Sequence, residues 1–265
     1  MRTETWTQAV RHQLDLGRLL PLGGPDDGTW ITEQAAGRAL GRAAAEVPGV
    51  WLQSLRIGPA PLEPVSEPAV RPPVSALPPG PLRIEAAFAA SLRQPLPHTA
   101  EQLRNTLLKA ATEGLGLTTV TADLRVTDLH EGPETGGNSQ TIPRATPQDA
   151  AAARGLPPVT KTGSMRGLAG ELADVAAAVP GVARLTTLLG SRPVKVEQDD
   201  DPPGRHIEVR LAVASGYPPL EVARAVRAAV AGSATGGTPG PVTTAVLITE
   251  TAAQPDVNGG LTRGA

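Results

Sequence analysis

Cysteine is missing from the chain, so no disulfide, thiolate metal site or cysteine nucleophile can be built. Aromatic residues are scarce: three Trp, one Tyr and one Phe among 265 residues. Any core must be assembled from Ala, Val, Leu and Ile, and little is available to stack on the bases of a single strand. Neither sign of charge is in excess. The 24 Lys and Arg stand against 26 Asp and Glu, a net charge of −2, and the isoelectric point is about 6.1. A nucleic-acid binder usually carries a basic stripe. No apolar run nears the ~20 residues of a membrane span. At the N-terminus Arg11, His12, Asp15 and Arg18 break up what would be the apolar region of a signal peptide. The expected location is cytoplasmic.

Catalytic motifs are missing as well. There is no Walker A loop, no Gly-x-Ser-x-Gly elbow and no Ser-x-x-Lys. His12, His98, His130 and His206 are scattered singly, and none pairs with another His or a carboxylate at metal-ligand spacing on one helix. Glu197, Asp199, Asp200 and Asp201 could gather a hard cation through carboxylate oxygens. They lack the Gly and terminal Glu of a calcium loop, and a solvated turn is the expectation. Gly23-Gly24 and Gly136-Gly137 sit in turns or a linker, not between a strand and a helix where phosphate cradles lie. No catalytic, cofactor-binding or metal residue is assigned, and no cofactor is expected.

What is present is alternation. In His206–Val213 the apolar Ile207, Val209, Leu211 and Val213 fall on one face, as in a half-buried strand. A Gly-Tyr-Pro-Pro corner follows, then a helical period carried by Leu220, Ala223, Val226 and Val230, with Pro219 in the first turn. An earlier stretch has the same plan. Ile84, Ala86, Phe88, Ala90 and Leu92 alternate, and Gln94-Pro95-Leu96-Pro97 makes the corner. Thr99 is expected to cap a helix with Gln102 at the capping-box position, Leu103, Leu107 and Ala110 face inward, and Gly114 stops it. Each helix is followed by a strand. In the first, Val120, Ala122, Leu124 and Val126 alternate with Thr121, Asp123, Arg125 and Thr127. The second carries Val242, Thr244, Val246 and Ile248.

Ahead of the first unit, residues 4–20 are expected to form a helix, with Trp6, Val10, Leu14 and Leu20 on one face, and 21–28 a turn-rich link. Gly28–Thr32 reads as a short strand, with Thr32 capping a helix that runs to about Val47. Gly37 and Gly41 lie on that helix, four apart, and leave a groove for a neighbouring element. Trp51–Ile57 is a further strand. The proline-rich stretch 58–81 should be extended and solvated. Ahead of the second unit, Leu168, Leu172, Val175 and Val179 mark another helix, and Pro193–Glu197 another strand. Both leading helices run into Val-Pro-Gly-Val, at 47–50 and 179–182. Thr121–Asp128 (TADLRVTD) matches Thr243–Glu250 (TTAVLITE). The element order is therefore duplicated.

These residues together resemble the bacterial alkaline-shock or general-stress protein family associated with the cell envelope: a strand ending in Ile-Thr, a helix closing in VPGV, an alternating strand, a corner of the GYPPLEVARAVRAAV kind and a last strand ending in an acid. The likeness is best at 28–57 with 82–128, and at 168–189 with 206–250. It implies an α+β fold of two tandem small domains, each a three- to four-stranded, mainly antiparallel sheet with two helices, plus the N-terminal helix. The expected division is 1–27 for the N-terminal helix and link, 28–130 for the first domain with its Pro-rich loop at 58–81, and 131–164 for a linker. The second domain takes 165–252, and 253–265 is a tail expected to be disordered. The resemblance further implies a non-catalytic scaffold in general or envelope stress, near the inner face of the membrane, acting through a protein partner or self-association. Two other readings stand beside it: a nucleic-acid-associated protein, and an enzyme whose site lies between the two lobes.

Overall fold

The computed structural model describes residues 17–61, 65–131, 167–187, 192–200, 203–235 and 240–252. The expected helix at 4–20 falls mostly outside these residues, as do most of the 131–164 linker and the 253–265 tail. Where that helix was expected to end, Leu19–Leu22 instead form strand β1. All four residues are buried, and a short apolar run closed by a turn suits a strand covered on both faces.

The chain then runs β2 (Thr29–Thr32), α1 (Glu33–Ala45), β3 (Val50–Pro59), β4 (Leu82–Ser91), α2 (Leu96–Lys109) and β5 (Thr119–His130). It continues with α3 (Leu168–Ala177), β6 (Val182–Leu185), β7 (Val194–Asp200), β8 (Pro203–Val213), α4 (Pro219–Ala234) and β9 (Val242–Thr251). The fold is α+β. Thr32 caps α1, its side chain accepting from the Ala35 N–H at 3.2 Å. The glycines of both VPGV turns, Gly49 and Gly181, have positive φ, which is why a glycine closes each turn.

Three expectations need correcting. Thr99 does not cap α2. The helix begins at Leu96, and Pro95 stands at the cap without a side-chain bond, because the prolines of the corner already fix helical φ in the first turn. Gly114 does not end it either. The chain runs on through one π-helical turn, Ala110–Leu115, and leaves at Gly116 with φ +86°. A side chain at Gly116 would press on Leu220 of α4 at 2.6 Å, so the stop and the close approach need the same glycine. Leu92 lies beyond the end of β4 and is 48% exposed rather than inward.

The strands form two sheets. One has the order β3-β4-β5; the other runs β1-β2-β9-β8, with β6 and β7 following each other along the far side of β8. The sheets are mixed rather than mainly antiparallel. β3 pairs antiparallel with β4, and β4 parallel with β5. β6 and β7 pair antiparallel with β8, and β8 parallel with β9. A helix joins both of these parallel pairs, α2 between β4 and β5 and α4 between β8 and β9, returning the chain to the end it started from. The leading strand β2 joins neither β3 nor β5. It pairs parallel with β9, Trp30 opposite Leu247. One hydrophobic core runs across the molecule, from Ile84 and Phe88 through Leu40 and Leu103 to Leu211, Val226 and Ile248. Gly37 and Gly41 of α1 face Leu55 and Leu52 of β3, but at 4.0 Å an added methyl would meet only ordinary contact.

The proline-rich stretch also departs from expectation. Residues 65–81 are a strap, not a solvated spacer. Ala69 N–H bonds to the Pro25 carbonyl, Leu19 N–H to Ser75 and Leu77 N–H to Leu19, so the strap closes the free edge of β1. Val70 and Ala76 pack with Leu19, Trp30, Ala245 and Leu247 on the outer face of the larger sheet.

Candidate functional site

Among the described residues, nothing covers the outer face of the three-stranded sheet. The pleat alternates inward apolar residues with outward polar ones, and the registers place the outward set in rows. Ser54, Ala87 and Arg125 lie side by side across the sheet, as do Arg56, Glu85 and Asp123. Ala87 and Ser54, being short, leave a trough of about 450 Å³ between the longer side chains. Arg83 holds both carboxylates: it pairs with Glu85 and lies 3.5 Å from Asp123. Arg56 and Arg125 make no ion pair with any described residue, so the trough presents two guanidiniums whose charge is not neutralised by a neighbour. At one end Trp51, 43% exposed, meets His130 edge to face, with ring centroids 5.1 Å apart.

The matching face of the larger sheet is sealed. Glu208 and Arg210 of β8 point outward, yet are 9% and 3% exposed. They pair with each other at 2.6 Å. The strap lies over this face, tied to β7 by Arg71 and Glu197 at 3.8 Å. Lys195 at 2.6 Å draws the Glu197 carboxyl below its ordinary pKa, chiefly through its hydrogen bond.

The scattered histidines stay scattered. His98 is exposed on α2 and His130 ends β5. His206 is buried beside Thr243, its Nδ1 2.9 Å from the hydroxyl. His12 lies outside the described residues. Of the acidic run, Glu197 is engaged by Lys195, and Asp201 lies outside the described residues. Among the described residues no group of three or more His, Asp or Glu could hold a metal ion. Where the halves meet, a recess of about 180 Å³ is lined by Arg42, Ser215, Tyr217 and Thr251 among others, with no carboxylate in its lining. It offers no convergent acid and base.

The seam itself is fastened by charge. Arg224 of α4 grips Asp27 with two bonds, at 2.8 and 3.0 Å. Arg227 reaches the carbonyls of Asp26 and Asp27. The hydrogen bond from Arg224 holds the Asp27 carboxyl below its ordinary pKa, against the opposing pull of partial burial. The expectation at 21–28 named only a turn and missed this fastening, because its partner lies some 200 residues away. Among the described residues no helix is long and apolar enough to cross a membrane. Compared with protein-family models, curated proteins and solved structures, the chain matches none of them.

Proposed function

We propose that the protein is a non-catalytic scaffold that binds other proteins through the open face of its three-stranded sheet. In this reading two copies of an alkaline-shock-like unit stand in tandem, each running helix, strand, strand, helix, strand. They share one core, and β2 of the first completes the sheet of the second. The observation that carries the reading is the unequal cover of the two outer faces. The chain spends a strap and a buried ion pair on sealing one, and leaves on the other a shallow trough edged by Arg56 and Arg125, with Trp51 exposed on the same sheet. Such a trough is open and wide, whereas catalytic pockets enclose most of what they bind. Protein interfaces favour Arg and aromatic anchors of this kind. A place in general or envelope stress, near the inner face of the membrane through a partner, is what the family resemblance adds.

The test compares the full chain with an Arg56→Glu, Ala87→Glu variant in sedimentation and in quantitative capture of cellular proteins. Circular dichroism checks that the variant is folded. A partner held by the parent chain and lost from the variant supports the scaffold. A chain that sediments as a monomer and captures nothing that the variant does not also capture overturns it.

A further inference from the structure

The two sheets differ in how their edges are closed. The edge of β1 is occupied by the strap through Ser75 and Leu77. The edge of β3 is blocked by side chains. Ile57 N–H donates to Glu33 Oε1 at 3.2 Å, and Arg18 donates to the Ile57 carbonyl at 3.3 Å. A bulge at Leu52–Ser54 bends that strand further. Both are ordinary ways of refusing an added strand. β6 and β7 are short, with four and seven residues.

β5 is guarded more lightly: over residues 121–126 its pairing with β4 is regular, and the side chain that reaches its outer edge is Arg104. The 12 residues of β5 make it the longest described strand, with β4 on one side and, among the described residues, no strand on the other. It contains no Pro, Gly or Lys. Its pairing is irregular at Val120 and at Thr127, neither of which has a partner on β4. Arg104 donates from α2 to the carbonyl of Ala122 at 3.3 Å. That bond marks Ala122 as facing the open edge, and alternation puts the backbone groups of Leu124 and Val126 there too. The position that β5 leaves empty is filled in the other sheet, where β2 lies along β9.

We infer that two copies of this chain associate through β5, edge to edge and antiparallel about Leu124. The argument is charge complementarity. Asp123 and Arg125 flank Leu124 on the outer face. With Leu124 opposite the partner's Leu124, each Arg125 meets the partner's Asp123, and each Asp123 the partner's Arg125. Leu124 makes the hydrogen-bonded pair, so the charged pairs take the closer, non-hydrogen-bonded positions on either side. On the inner face Ala122 meets the partner's Val126. A contact of this kind is isologous and closes as a two-fold dimer. A guard against self-pairing would carry charge of one sign; here the signs alternate and match their own reverse. Arg104 gives up its bond to Ala122 and keeps Glu101, 2.6 Å away.

This inference rests on the scaffold reading and names one partner for it. The experiment is sedimentation of the full chain over a range of concentrations, with Asp123→Arg and Arg125→Asp as single variants and as an equimolar mixture. Both side chains are on the exposed face, and circular dichroism verifies folding. The expected result is a monomer–dimer equilibrium in the parent chain. Each single variant should weaken it by roughly tenfold or more, because like charges then face each other twice. The mixture should regain the dimer, because the two arginines that the first variant carries beside Leu124 then meet the two aspartates of the second. A parent chain that stays monomeric overturns the inference, as does a dimer indifferent to the single variants or a mixture that fails to recover. If Arg56- and Ala87-dependent capture persists in any of these cases, the scaffold reading survives without this partner.

Discussion

Strands β9 and β5 take the same step in the repeated order, yet turn different residues outward. Where β5 shows Asp123 and Arg125, the aligned residues of β9 are Ala245 and Leu247. In the strands beside them, Ala87 of β4 aligns with Arg210 of β8. One outer face is charged at its rim and small at its centre. The other is apolar where Trp30, Ala245, Leu247 and the strap meet, and beside them lies the buried pair of Glu208 and Arg210. A pleated sheet with helices on one side must do something with its second face. This chain gives the two answers side by side: water for one face, and its own proline-rich segment for the other. The lesson is that a repeated backbone plan does not fix what a unit presents to its surroundings. That is decided by the outward residues and by the long connection between β3 and β4.

Substitutions at matched positions break or sharpen this contrast. The largest effect is expected at the two tryptophans. Trp30 is 1% exposed and Trp51 43%, so Trp30→Ala should cost about 4 kcal/mol, while Trp51→Ala should stay within about 1 kcal/mol. Chemical denaturation measures both. Equal losses would mean that the strap does not seal its face. Next comes the buried pair. Arg210→Ala leaves the Glu208 carboxylate without its guanidinium and should cost about 3 kcal/mol. The reciprocal Ala87→Arg puts a long side chain at the floor of an open trough, from which it can rise to water, and should change stability by less than about 1 kcal/mol. A severe loss at Ala87 would show that the second face is not open.

The smallest effect is at the seam that joins the halves. The folded state lowers the pKa of Asp27, so its contribution is fully present at neutral pH. It is lost only as the pH falls below the ordinary carboxylate range and through the lowered value. Arg224 is half exposed, so solvent screening limits the effect to about 0.5–1 kcal/mol. Asp27→Asn should remove that amount at pH 7 and flatten the acid limb of a thermal-melting profile. An unchanged acid limb would place the proton-sensitive contact elsewhere.

Much of this could be read from the residues in order. Alternation located β4, β5, β8 and β9, and the two VPGV turns located the ends of α1 and α3. The inward residues of β5 were legible because Asp123 and Arg125 contrast sharply with their neighbours. On β9 the same alternation hid a second buried face, since Ala245 and Leu247 look like strand filler until something covers them. Pairing between distant segments was not legible. Nothing in Thr29–Thr32 says that its partner is β9 rather than a strand of its own half. Proline density suggested a solvated spacer, but Val70, Pro73 and Pro79 are buried; the missing signal was an apolar residue within the proline run, for which local period has no meaning. The open face was present in the sequence as a charge pattern. Its significance needed the sealed face for comparison.

The placement of β2 has a consequence for how the chain reaches its native state. Thr32 bonds through its hydroxyl to the carbonyl of Thr249, 217 residues further on, and β2 has no other parallel neighbour. The centre of the larger sheet therefore cannot zip up until the ninth strand is made. Long-range closures of this kind are slow and leave strand edges bare in the meantime. During synthesis the hairpin of Leu19–Leu22 and Thr29–Thr32 would keep the β9-facing edge of its second strand bare until Thr251 is made. A nascent chain halted before Val242 should be held by chaperones, and one released after Thr251 should not.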